Sequence, residues 1–223
     1  MSEAAPWILE IRRRLEREWV VPDVVREIAE GTPDARPAAV LVPLYVRDRE
    51  LWTLLTKRSE TVESHRGQIA FPGGREALDD ASPWETAIRE TEEEIGVPRK
   101  AILRIGELPG VTTFTGFRIR AFVGALPYPF DLRHDPREVD SVIEVPIRAL
   151  MGPTLVEERA VTWKGRSIPA PVYHLKGHVI WGATAFLVAS LLAHTVSAYR
   201  IDAQGRPVGI VTRTDLVGSM CGR

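Results

Sequence analysis

The stretch running from Ser82 to Gly96 leaves this chain the least freedom. Ser82 is a good helix N-cap, Pro83 suits the first helical position, and Glu85 completes a capping box. Gly96 and Pro98 stand where a left-handed cap and a following breaker end a helix. The helix so bounded carries Glu92, Glu93 and Glu94 in its last turn, with Glu90 just before. Negative charge there opposes the helix dipole by roughly 0.3–1 kcal/mol per group. Glu90 and Glu94, four residues apart, are also a like-charge pair on one face. Arg89 can relieve Glu93 and reach back to Glu85, but it is not expected between Glu90 and Glu94. Two converging carboxylates with no counter-charge are what a hard divalent cation takes as ligands. The plainer reading of the same residues is a solvated acidic helix face.

The flanking segments set the fold class. Apolar Ile8, Ile11, Leu15 and Trp19 recur at helical spacing over residues 6–19, and a second short helix is predicted over 22–30. Residues 38–46 and 51–57 read as paired strands across the turn Arg47-Asp48-Arg49-Glu50. A polar loop over 58–68 follows, and Ile69-Ala70-Phe71 leads into Pro72-Gly73-Gly74. Beyond the glutamate helix, 101–108, 117–126, 139–145, 156–163 and 171–175 are β-prone, with a short helix around 147–151. Strands interspersed with strong helices predict an α/β (α+β) sandwich. The expected organisation is a helical extension over 1–36, a main domain over 37–199 and a tail over 200–223 that forms a short β-hairpin. Part of that tail, 205–216, is similar to one hairpin of a cystathionine-β-synthase-type module but far too short to be that domain.

Composition excludes several classes. A formal charge of −1, from 29 basic and 30 acidic residues, provides no global attraction for nucleic acid or an anionic membrane. The single cysteine, Cys221, rules out an intramolecular disulfide, and five histidines show no zinc-ligand spacing. The segment around Arg12, Arg13 and Arg14 does not read as a secretory signal, so a reducing, cytoplasmic setting is expected. Residues 180–199 carry no Asp, Glu, Lys or Arg. Their Gly182, Thr184, Ser190, His194 and Ser197 favour a helix buried against a sheet over a membrane span.

In one block stand Phe71-Pro72-Gly73-Gly74, a loop, the marked helix and the ordered string Arg89-Glu90-Thr91-Glu92-Glu93-Glu94-Ile95-Gly96-Val97. That block resembles the Nudix box of the Nudix hydrolases. The resemblance implies a Nudix-type α/β/α sandwich with a mixed sheet, and Mg²⁺- (or Mn²⁺-) dependent cleavage of a pyrophosphate linkage. It makes Glu90 and Glu94 metal ligands, with the carbonyl of Gly73 a third. Glu93 becomes an auxiliary ligand or a water-orienting group, and Arg89 holds the carboxylates in place. The family has an acidic residue eight positions before the box arginine, where this chain has Ala81. The spacing from Gly74 to Arg89 is one residue longer than the general box, so Asp80 takes that role.

The residues ahead of the box are similar to the extra signature of the coenzyme A pyrophosphatase subgroup: Leu54-Leu55-Thr56-Lys57-Arg58-Ser59, then His65-Arg66-Gly67-Gln68-Ile69-Ala70-Phe71-Pro72-Gly73-Gly74. Ile180-Trp181-Gly182-Ala183-Thr184 is similar too. The resemblance implies coenzyme A or an acyl-coenzyme A as substrate, with Lys57, Arg58, His65 and Arg66 supplying cations for its phosphates. Trp181 is expected in the core, and the pantetheine arm is expected along apolar surface near the N-terminal helix. A monomer or homodimer, with no nucleic-acid or membrane partner, completes the expectation. The alternatives are a Nudix enzyme for ADP-ribose, a dinucleotide or a nucleoside triphosphate, and a non-catalytic nucleotide sensor.

Overall fold

In the computed structural model the described residues are 5–16, 23–59, 67–151, 156–175 and 177–193. The predicted tail, and within the loop both His65 and Arg66, lie outside them.

Two helices, α1 (Pro6–Leu15) and α2 (Asp23–Glu30), precede the long strand β1 (Arg36–Arg47). Its partner β2 (Glu50–Arg58) returns antiparallel with Leu44 opposite Thr53. Asp48 and Arg49 both have positive φ (50° and 62°) at the tip, the geometry a two-residue hairpin requires. Two short strands follow, β3 (Ile69–Ala70) and β4 (Gly73–Arg75), then α3 (Pro83–Ile95). The sheet is completed by β5 (Leu103–Thr112), β6 (Phe117–Ala125) and β7 (Val139–Pro146).

β1 runs parallel to β6 and antiparallel to β2 and β4, which makes the seven-stranded sheet mixed. β2 pairs with the C-terminal part of β1, whereas β4 pairs with Ala38, Ala39 and Val40 of its N-terminal part. The far half of β2 instead pairs with β3. The chain from Ile69 to Arg75 thus bridges β2 and β1 where those strands part, bringing the Gly-Gly pair there.

Alternation along the strands separates two cores. Ala39, Leu41 and Tyr45 of β1 and Leu54 of β2 face Ala87, Ile88 and Ile95 of α3. Val42, Leu44, Leu51 and Leu55 face the other way, with Ile8, Ile11 and Leu15 of α1. That second face is also covered by α4 (Gly182–Leu191), whose Leu187, Val188 and Leu191 are buried. The result is the expected α/β/α sandwich. A three-stranded antiparallel sheet, β8 (Val156–Trp163), β9 (Arg166–Leu175) and β10 (His178–Ile180), adds Tyr173, Leu175 and Ile180 to this core.

Two expectations change, and the reading of residues 180–199 as a helix buried against the sheet holds over their described part. The N-terminal helix is part of the main core, on the face away from α3, so it does not flank the glutamates. Trp181 is 54% exposed at the start of α4, because that helix buries Thr184, Ala185 and Leu187 instead. The uncharged stretch yields a described helix ending at Leu191, and no described helix is long and apolar enough to cross a membrane.

Candidate active site

Helix α3 is fixed at both ends. Ser82 accepts a hydrogen bond from the Glu85 N–H at 3.3 Å. Only this half of the predicted capping box forms among the described residues. Gly96 is left-handed, with φ 80°, and donates to the Glu92 carbonyl at 2.9 Å. Buried Thr86, Ala87, Ile88, Thr91 and Ile95 seat the helix on the sheet, and Thr91 Oγ1 donates to the Ala87 carbonyl at 2.7 Å.

This seating brings the glutamates against the glycine strand. A Cβ on Gly74 would lie 2.5–2.6 Å from the Glu90 carboxylate, so only glycine lets the two approach. The Gly73 N–H donates to Glu94 Oε2 at 3.3 Å. In an antiparallel ladder the N–H and C=O of one residue leave along the same edge. The Gly73 carbonyl is therefore turned towards the glutamate side too. Arg75, two residues on, shows the same habit, since its carbonyl accepts from Arg89 Nη2 at 3.3 Å.

Arg89 organises the cluster. Its Nε and Nη2 donate to Asp80 Oδ1 and Oδ2 at 2.9 and 3.0 Å, a bidentate grip. Its Nη1 donates to Glu90 Oε1 at 2.8 Å and to Glu93 Oε2 at 3.1 Å. Asp80 also accepts from Thr86 Oγ1 at 2.8 Å and from the Ala77 N–H at 3.0 Å. The Arg89 guanidinium, helped by these donors, holds the Asp80 carboxyl well below the usual carboxylate range. Asp80, the residue before Ala81, is thus held on the box arginine.

The expectation of two carboxylates without a cation needs correction. Arg89 does reach Glu90, because its tip extends along the helix beyond its own position. Glu94 has Arg58 beside it, with Nη1 3.8 Å from Oε1. Neither cation neutralises the site fully. Glu94 is almost completely buried, and burial pushes its carboxyl up to about 8, with Arg58 opposing the shift and Glu90 adding to it. Burial also raises Glu90, against the pull of Arg89. Glu93 is half exposed and keeps its other oxygen 3.9 Å from Arg99.

Of the other predicted cations, Lys57 is engaged by Asp140 at 3.1 Å and is not brought to the glutamates. A further carboxylate, Glu138, escaped the sequence reading. Its charge adds to the raised state of both Glu90 and Glu94. It arrives through long-range strand pairing: Val139 lies opposite Arg58, and the Ser59 N–H donates to the Glu138 carbonyl at 2.9 Å. No local pattern around residue 138 announces this.

Two carboxylates drawn up to a glycine strand suit a hard oxygen-seeking cation. Among the described residues no three His, Cys, Asp or Glu side chains form a ready-made metal cluster. An ion there would complete its shell with backbone, water and substrate oxygens, as Mg²⁺ commonly does.

Mixed sheet, glycine strand and glutamate helix together fit a pyrophosphohydrolase, and similarity to known proteins shows that class. The chain belongs to the Nudix family: residues 35–170 match the NUDIX domain. It is 35% identical over 156 residues to a protein of Photorhabdus laumondii named "Uncharacterized Nudix hydrolase NudL", covering 70% of this chain and 83% of that one. A protein of the same name from Escherichia coli K12 is 35% identical over 165 residues, covering 74% and 85%. Among solved structures, a MutT/nudix family protein from Enterococcus faecalis aligns over 93% of this chain and 78% of its own, at 13% identity and a TM-score of 0.49.

Proposed function

We propose that this enzyme hydrolyses the pyrophosphate linkage of coenzyme A or an acyl-coenzyme A. The products are 4′-phosphopantetheine, or its acyl form, and adenosine 3′,5′-bisphosphate. One water is added across the P–O–P bridge. The observation that carries the reading is the motif ahead of the box, from Leu54 to Ser59 and from His65 to Gly74, in a chain that otherwise matches the Nudix pattern.

Glu90, Glu94 and the Gly73 carbonyl would hold Mg²⁺ or Mn²⁺. Such an ion would supply positive charge for the phosphate oxygens and activate water for attack. Arg89 fixes the direction of Glu90 while its other edge is locked on Asp80. Glu93, half exposed on the same guanidinium, is the carboxylate free to orient water. Arg58 supplies a planar fork for a phosphate, and its Nε–H is buried with no hydrogen-bond partner among the described residues. His65 and Arg66 are assigned to the same phosphates by the motif. Lys57, held by Asp140, has the weaker case as a substrate contact.

A side-by-side comparison of kcat/KM for coenzyme A, an acyl-coenzyme A, ADP-ribose and a dinucleoside polyphosphate tests the assignment. Coenzyme A or its acyl form should lead. Faster turnover of ADP-ribose would remove the substrate assignment and leave the family intact.

A further inference from the structure

Arg58 stands where a cation belongs but is attached there only by its charge. Its Nη1 is 3.8 Å from Glu94 Oε1, beyond hydrogen-bond reach, and the two side chains are 32% and 6% exposed. Its Nε is buried without a partner, and its guanidinium makes no hydrogen bond among the described residues. The backbone beneath is firm by contrast. The Arg58 N–H donates to the Gln68 carbonyl at 2.9 Å, and the next N–H, of Ser59, donates to Glu138 at 2.9 Å. The β2–β7 ladder shifts register between Lys57 and Arg58. Such an irregularity re-aims a side chain, and here Lys57 goes to Asp140 while Arg58 goes to Glu94.

An arginine held this way is hydrogen-bonded through its backbone but not, among the described residues, through its guanidinium. The tip can leave Glu94 without breaking a hydrogen bond. A divalent cation at the same carboxylate would repel it, since like charges a few ångströms apart in a half-buried site interact strongly.

We propose that Arg58 is the resident counter-ion of Glu94, displaced when a divalent cation takes that carboxylate and thereby freed for a phosphate of the nucleotide substrate. The inference rests on the assignment of Glu94 as a metal ligand, but not on coenzyme A. It makes Arg58 a positioning residue with opposite effects on two ligands. It weakens metal binding to the free protein and strengthens binding of the metal–nucleotide pair. Metal and phosphate binding are then coupled through one side chain, and the coupling is reciprocal.

The test is Mn²⁺ binding to the full chain without nucleotide, followed by the electron paramagnetic resonance signal of free Mn²⁺. Arg58→Gln should bind Mn²⁺ about 3–10-fold more tightly than wild type, a modest factor because the guanidinium is partly solvent-screened. Arg58→Lys, which keeps the charge, should stay within about twofold of wild type on the same grounds. Adding adenosine 5′-(α,β-methylene)diphosphate, whose bridge cannot be hydrolysed, should tighten Mn²⁺ binding in wild type and do so less in Arg58→Gln. Unchanged or weaker Mn²⁺ binding by Arg58→Gln with a native circular dichroism spectrum overturns the proposal. If that variant fails to fold, Arg58→Met, which keeps the aliphatic stem, is read in its place against the same outcomes. Glu94→Gln separates the underlying reading: Mn²⁺ affinity equal to wild type in that variant removes Glu94 as a ligand, and the displacement with it.

Discussion

Replacing Glu94 by Gln should make the metal-free protein more stable at pH 8 while abolishing most of its activity. Glu94 is 5% exposed and its carboxyl is raised from 4.5 to about 8, chiefly by burial. The folded protein therefore keeps a proton that the unfolded chain releases. Stability from the protonated form is complete below about pH 4.5, declines as pH rises towards 8, and levels off above it. At about 1.4 kcal/mol per pK unit the loss is on the order of 5 kcal/mol. Glutamine keeps an oxygen for the Gly73 N–H and never ionises, so Glu94→Gln escapes this loss. Urea unfolding of both proteins in chelator, from pH 5 to pH 8.5, isolates the contribution as a difference that cancels other titrating groups. The difference should be small at pH 5 and favour the variant by roughly 4–5 kcal/mol at pH 8.5. Excess Mg²⁺ should then stabilise wild type and leave the variant unmoved. A pH-independent difference, or a variant less stable than wild type at pH 8.5, would refute the argument that burial of this carboxylate outweighs the pull of Arg58.

Three further outcomes follow from the same geometry. Glu90→Gln should lower turnover by roughly two to four orders of magnitude, while Glu85→Gln on the same helix should cost about 1 kcal/mol in thermal unfolding at most and leave turnover near wild type. An alanine Cβ at position 74 would meet the Glu90 carboxylate at 2.5–2.6 Å, so Gly74→Ala must push that group aside. Its kcat in a Mg²⁺ titration should fall by roughly 100-fold, the scale of a 1 Å misplacement, with the fold retained by circular dichroism. Dephospho-coenzyme A should be a poorer substrate than coenzyme A by about 1.5–3 kcal/mol in transition-state stabilisation, provided a charge-assisted contact reads the 3′-phosphate. Kinetics with Arg58→Ala and Arg66→Ala would show which arginine erases that difference.

The local signals in this chain were legible because they lie within a few residues of one another. The N-cap Ser82, the terminating Gly96 and the Phe-Pro-Gly-Gly run specify a helix and a glycine turn without tertiary information. The charged turn at Asp48 and Arg49 likewise announces the hairpin of β1 and β2. What was hidden depends on partners far away in sequence. Arg58 finds Glu94, and Glu138 joins the same field, only because β2 pairs with β7 and α3 crosses the sheet. Trp181 misled because a large aromatic beside an apolar helix ordinarily packs inward, whereas α4 already buries its smaller residues there. Arg89 reaching Glu90 was missed since helical spacing places adjacent residues on different faces, a rule about Cβ positions that a long guanidinium overrides.

The most direct measurement is phosphorus-resolved product analysis of coenzyme A incubated with the purified protein and Mg²⁺. Equimolar 4′-phosphopantetheine and adenosine 3′,5′-bisphosphate are expected, with no inorganic phosphate and no reaction in excess chelator. Intact coenzyme A under conditions where ADP-ribose is cleaved, or release of phosphate from the 3′ position, would contradict this expectation.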